Sequence, residues 1–226
     1  MCGFVGYIDA DIPAAGSCIR QMADTIAHRG PDQDDYFITD GAALGFRRLS
    51  IIDLENGSQP IENEDGSLVL VFNGEIYNFQ SLREELIALG HVFKTHTDSE
   101  VLLHGYEAYG KALLNKLRGM YAFVIYDKAK NKLFGARDIF GIKPFYYYIK
   151  DDVFLFGNEI KSFLPHPAFV RELNRERIPE YLSFEYIPCR ETLFRNVYKL
   201  LGGECFTYEN GKMQIERYFD FKYEID

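Results

Sequence analysis

The short polar turn DKAKNK, Asp127 to Lys132, is all that joins the apolar run MYAFVIYD to the next one, KLFGAR. Both runs alternate apolar and polar residues, as do GFVGYID, LVLVFN, PFYYYI and DVFLFG, and a period of two marks half-buried strands. Parallel neighbours need a crossover of about a dozen residues or more, so this turn, and the one around Asp151 and Asp152, predict antiparallel pairing. A doubly wound parallel sheet is thereby disfavoured.

Helices are predicted between the strands. From Ala14 to Ala27, Cys18, Ile19, Met22, Ala23 and Ile26 recur at helical spacing and stop at Gly30 and Pro31. A second helix is expected from about Ser81 to Leu89, with Ser81 and Glu84 as a capping box and Leu82, Leu86 and Leu89 on one face. A third begins near Thr97, where Thr97 and Glu100 repeat the capping spacing. Strands and helices in this arrangement predict a layered α+β domain over residues 1–200. The mixed texture near the end assigns 201–226 to a peripheral extension or the start of a linker.

Composition narrows the function. A net charge of -9 argues against a general binder of nucleic acid, because that affinity rests on clustered Lys and Arg. No apolar run is long enough to span a membrane, and no basic-then-apolar leader is present, so the expected address is the cytoplasm. Cys2, Cys18, Cys189 and Cys205 form no CxxC pair and no zinc-finger spacing with histidine, so no metal is expected. Neither GxGxxG after a strand nor GxxxxGK[ST] occurs, so no nucleotide site is expected in these residues.

Cys2 stands out by position. Once Met1 is removed, one residue carries a thiol and a free α-amino group, whose ordinary pKa of about 7.7 to 8.0 suits it to accept the thiol proton and return it to a leaving amine. Taken alone, Cys2 is more simply read as the start of a strand. Other stretches bear on it. Arg47 and Arg48 interrupt an apolar strand, where a guanidinium either pairs within the protein or offers its fork to a substrate carboxylate. Asn73 and Gly74, in NGEIYN, are either a tight turn or the two donors of an oxyanion hole. HRGPD at His28 to Asp32 is either a helix stop or a shaped loop, and Asp98 in HTDSE either a helix cap or a charged contact. Together they supply a nucleophile, its base, two oxyanion donors, a cation and carboxylates, a set that matches glutamine.

The ordered set MCGFVGYID, HRGPD, RLSIIDL, QP, NGEIYN, TDSE, RGMYAFVIYD, RDIFGIKPFYY and NEIK resembles the glutaminase domain of glutamine-hydrolysing asparagine synthetases, closely to about Lys161 and more loosely to Leu200. That resemblance implies a class II glutamine amidotransferase with the fold of N-terminal-nucleophile hydrolases, an αββα sandwich of two antiparallel sheets between helix layers. It implies Cys2 as nucleophile, the Asn73 side chain and Gly74 N–H as oxyanion hole, Arg48 on the glutamine carboxylate, Glu75 and Asp98 on its ammonium, and backbone near Ile51 lining the pocket. It also implies a synthetase domain or subunit as the partner that takes the ammonia, with ATP and Mg needed only there; a homodimer is an assembly it allows. The SGGxDS loop of that second domain is absent, and KLLGGE replaces the family's frequent KLPPG. This chain alone is therefore not expected to make asparagine. A glutaminase serving a different amide acceptor, and a non-catalytic interaction module on the same fold, remain open at this point.

Overall fold

Strand β1, Gly3–Ile8, follows directly on Cys2 and lies inside a six-stranded sheet, hydrogen-bonded on both sides. Its neighbours are β3 (Ala42–Arg48) and β9 (Val153–Gly157), flanked in turn by β2 (Gln33–Thr39) and by β8 (Tyr146–Lys150) with β10 (Val197–Lys199). The computed structural model that shows this describes residues 2–12, 16–50 and 57–222. A second six-stranded sheet runs in the order β12, β11, β7, β6, β5, β4, formed by Lys212–Arg217, Glu204–Glu209, Lys132–Arg137, Gly119–Asp127, Leu68–Ile76 and Ile61–Glu62. All registered neighbours in both sheets are antiparallel. The hairpin connections β6 to β7 and β8 to β9 are the two that the sequence predicts.

Alternation sorts the side chains into three apolar layers. Val5, Tyr7, Ala43 and Leu155 face helix α1, Ser17–Asp24, which turns Ile19, Met22 and Ala23 toward them. Their strand neighbours Phe4, Leu44, Phe46 and Phe154 face the other sheet, which answers with Val69, Val71, Val124 and Phe206. On that sheet's far side Leu70, Phe72, Phe123 and Ile125 pack against α2 (Phe79–Ala88) and α3 (Glu100–Tyr109) through Leu82, Leu86, Leu102 and Leu103. Helix, sheet, sheet, helix is the expected αββα sandwich. Each buried Leu, Val or Phe contributes about 1.5 to 3 kcal/mol, so the layering is fixed by many such contacts rather than by one.

Several local expectations differ. The first helix is shorter than 14–27: α1 ends at Asp24 and Ala27–Arg29 form a separate 3-10 turn. Ser81 lies inside α2, not at its cap, and its hydroxyl donates back to the Asn78 carbonyl (3.0 Å). Helix α3 starts at Glu100, and its Ser99 cap position makes no side-chain cap bond. Glu100 is recruited elsewhere: it accepts from the Lys94 and Thr95 N–H groups (2.7 and 2.8 Å) and from the Thr95 hydroxyl (2.7 Å). The segment set apart after residue 200 supplies β11 and β12 of the second sheet. Strand β11 pairs with β7, and its Cys205, Phe206 and Tyr208 are buried in the core. A last short helix, α4 (Ile178–Phe184), leaves Leu182 and Phe184 exposed.

Candidate active site

The two sheets place Cys2, at the head of β1, opposite the C-terminal half of β5, which carries Asn73, Gly74 and Glu75. Between them lies a cavity of about 160 Å³ lined by Cys2, Arg48, Asn73, Gly74, Glu75 and Asp98. Six of the seven residues expected in the site therefore meet at one place, although they come from separate stretches of sequence. The seventh, Ile51, lies outside the described residues, as does Met1.

Backbone and side-chain bonds fix residue 2. The Cys2 carbonyl accepts from Arg29 Nε (3.1 Å). Turned to match both its neighbours, the Asn73 amide donates from Nδ2 to that same carbonyl (3.1 Å) and accepts at Oδ1 from Arg29 Nη2 (3.3 Å). The Cys2 Sγ sits 3.4 Å from both the N–H and the carbonyl oxygen of Leu49. The next residues are pinned by Asn158, which is fully buried: its Oδ1 accepts from the Phe4 N–H (2.7 Å) and its Nδ2 donates to the Pro144 carbonyl (2.8 Å).

HRGPD is more than a helix stop. His28 and Arg29 both reach Glu159, at 2.9 and 3.1 Å, and Lys161 joins them at 3.3 Å. Partial burial opposes ionisation of Glu159, but hydrogen bonds from these three hold its carboxyl below the usual range. Gly30 permits the close crossing of this turn over β3, since a Cβ there would fall 2.3 Å from the Arg47 carbonyl oxygen. Asp32 then accepts from the Ser50 N–H (2.8 Å), which shapes the turn that holds Leu49 against the sulfur.

Alternation in β3 decides between the twin arginines. Arg47 turns outward to Asp24 on α1, with Asp34 at 3.5 Å, and is spent on structure. Arg48 points to the opposite face, is only 4% exposed, lines the cavity and is steadied by Gln33 Oε1 (3.3 Å).

The edge of β5 beside the cavity is equally ordered. Strand β4 pairs only as far as Leu70, and among the described residues no strand pairs with the following N–H groups on that edge. The Phe72 N–H goes instead to Gln59 Oε1 (2.6 Å), and the Ile76 N–H to Asp98 Oδ2 (2.8 Å). Tyr121, opposite Gly74, turns its own N–H and carbonyl toward Asp138, so the Gly74 pair is of the non-hydrogen-bonded kind. The Gly74 N–H thus lies on the cavity edge between the two captured ones. A side chain is excluded there because a Cβ would sit 2.2 Å from the Met120 carbonyl oxygen.

Asp98 is buried, and that burial, reinforced by the nearby Glu75 charge, pushes its carboxyl up to about 6. Lys143 also lines the cavity, with its amine lowered chiefly by burial and partly restored by Glu75. Lys143 and Arg29 were not singled out by the sequence reading, although both fall inside quoted motifs. Lys143 is set by a loop that Asp138 gathers, accepting from the N–H groups of Phe140, Ile142 and Lys143 (3.1, 2.9 and 3.0 Å). A basic residue wedged between Ile142 and Pro144 was the available signal.

A family profile described as "Glutamine amidotransferase domain" matches residues 1–219. The chain belongs to that family. Among relatives of this amidotransferase domain, asparagine synthetase [glutamine-hydrolyzing] 1 of Bacillus subtilis is 45% identical over 224 residues, covering 97% of this chain and 35% of that protein. A second asparagine synthetase of the same organism is 45% identical over 178 residues, covering 77% and 24%. The amidotransferase domain thus spans about a third or less of the length of these two relatives. Among solved structures, the glutamine phosphoribosylpyrophosphate amidotransferase of Bacillus subtilis has a TM-score of 0.71 at 19% identity, over 96% of this chain and 49% of that one. A structure of the allosteric regulatory enzyme of purine biosynthesis gives 0.72 at 19% identity with the same coverage. These two likenesses support the sandwich fold of the amidotransferase domain. Among its described residues, no helix is long and apolar enough to cross a membrane.

Proposed function

We propose that the domain hydrolyses glutamine to glutamate and ammonia, with Cys2 as N-terminal nucleophile, and that the ammonia serves asparagine synthesis from aspartate and ATP on a synthetase domain outside this chain. The observation that carries the reading is the convergence of six candidate residues on one cavity between the sheets. The 45% identity to two asparagine synthetases supports the acceptor. A cytosolic setting, where thiols stay reduced, suits the chemistry.

With Met1 removed, the Cys2 amine takes the thiol proton and the sulfur attacks the substrate's side-chain amide carbon. Negative charge then develops on the amide oxygen. The Asn73 Nδ2 has one hydrogen on the Cys2 carbonyl and a second for that oxygen, while the Gly74 N–H supplies the other donor. The ammonium of Cys2 returns its proton to the leaving nitrogen, ammonia departs, and a γ-glutamyl thioester remains. Water adds to the thioester with the amine again as base, releasing glutamate and the thiol. Arg48 holds the substrate carboxylate, and Glu75 with Asp98 holds its ammonium. No step is routed through a metal or cofactor; ATP and Mg belong to the proposed synthetase partner.

The direct test is the intact mass of untagged protein before and after a diazoketone analogue of glutamine. We expect a chain lacking Met1 and one adduct, mapped to Cys2 and suppressed by excess glutamine. A processed chain without an adduct on Cys2 would overturn the reading.

Asp98 gives the reading a pH signature. In the free domain its carboxyl is raised to about 6, so below that pH it holds a proton. A docked ammonium favours the carboxylate, so binding must release this proton. KM for glutamine is therefore expected to rise as pH falls through about 6, approaching tenfold per pH unit, and to flatten above it. Asp98→Asn should raise KM throughout and remove the Asp98-linked rise. A flat KM in the unaltered protein between about pH 5 and 7 would take Asp98 out of the ammonium site.

A further inference from the structure

Beside α3, four groups from three stretches of the chain come together. His104, on α3 and 1% exposed, places Nδ1 3.0 Å from Glu107 Oε2 and 3.4 Å from Glu64 Oε2. His91 Nδ1 lies 3.8 Å from the same Glu107 oxygen, and one ligand atom from each of the four falls within 4.8 Å of the others. A tetrahedral zinc ion with bonds of about 2.0 to 2.2 Å spaces its ligand atoms by about 3.3 to 3.6 Å. The edges of 3.0, 3.4 and 3.8 Å bracket that spacing.

The surroundings separate this group from a chance cluster of surface charge. Three of the four side chains have their remaining polar atom already held. His104 Nε2 faces Glu100 Oε1 at 3.5 Å, Glu107 Oε1 accepts from Asn63 Nδ2 (2.8 Å), and Glu64 Oε1 accepts from the Val92 N–H (3.1 Å). A carboxylate behind an imidazole fixes the tautomer, putting the proton on Nε2 and the lone pair on Nδ1. Burial works against a charge on His104, but hydrogen bonds to Glu100 and Glu107 and the nearby Glu64 charge raise its imidazole above the ordinary value. Two imidazoles and two carboxylates balance a doubly charged ion, and mixed nitrogen and oxygen donors in a tetrahedron suit zinc.

We propose that Glu64, His91, His104 and Glu107 form a tetrahedral binding site for a divalent cation of the zinc class. Binding forms four coordinate bonds, one from each side chain, with the His104 lone pair on Nδ1 and its proton on Nε2 facing Glu100. The site ties the loop at Glu64 and the loop at His91 to α3. Through Glu100 and Thr95 it backs onto Thr97 and Ser99, which line the cavity.

The test uses the intact domain, stripped with a chelator and titrated with Zn²⁺ against a chromophoric competitor, with thermal melting alongside. One equivalent is expected to bind and to raise Tm. His91→Gln and Glu64→Gln, on the two loops outside the core, should each weaken binding roughly tenfold or more and cancel the rise in Tm. Co²⁺ serves as a spectroscopic stand-in and should give a tetrahedral d–d spectrum without a thiolate charge-transfer band. The proposal is overturned by absence of binding, by binding that ignores both substitutions, or by a thiolate band that moves the ion to a cysteine.

Discussion

A chain that keeps Met1 is expected to fold normally and to hydrolyse glutamine at no measurable rate. Retention turns the Cys2 amine into an amide nitrogen, which has no usable basicity, and leaves an extra residue bonded directly to the nucleophile, an obstruction of its own. General-base assistance is worth about 10² to 10⁴ in rate, before that obstruction is added. The comparison is glutamate release by processed protein and by a variant with a bulky residue inserted between Met1 and Cys2, which blocks methionine removal and keeps the thiol, each with its melting temperature. Equal melting with lost turnover supports the self-base mechanism. Turnover by the unprocessed chain would transfer the role to another group, with Lys143 the first to examine because it lines the same cavity with its amine lowered by burial.

Asn73→Ala should lower kcat by about 10² to 10³, the range for losing one oxyanion donor, with KM changed only a few-fold. The side chain is 1% exposed and bridges the Cys2 carbonyl to Arg29, so stability should also fall, by about 1 to 3 kcal/mol. The split between kcat and KM, taken per folded molecule, carries the decision: an amide that only positions the pocket would raise KM as well. A drop in kcat of less than about tenfold would remove Asn73 from the oxyanion hole.

What the sequence made legible follows from range. Alternation is local, so GFVGYID, LVLVFN and MYAFVIYD map onto β1, β5 and β6, and the two-residue period also sorts Arg47 from Arg48 once the strand direction is known. Capping depends on competition. Thr97 and Glu100 have the right spacing, but the Glu100 carboxylate is taken by Thr95, Lys94 and His104, and held at about 2 by them although burial opposes it. The terminal hairpin was obscured because β12 is an edge strand with mostly solvated side chains, so KMQIER shows little contrast. Arg29, Asn158 and Glu159 act across more than a hundred residues or through a single carbonyl, and nothing in their immediate neighbours announces such contacts.

The grip on residue 2 has one more consequence. Arg29 and Asn73 both hold its main-chain carbonyl, and the Leu49 backbone meets the side chain with one donor and one acceptor. None of these contacts requires sulfur. The fold specifies an address for a small nucleophile carrying a proton, so a serine or threonine would be seated almost as well. The preference for a thiol is then one of leaving-group and acid–base chemistry, free to change while the architecture stays still.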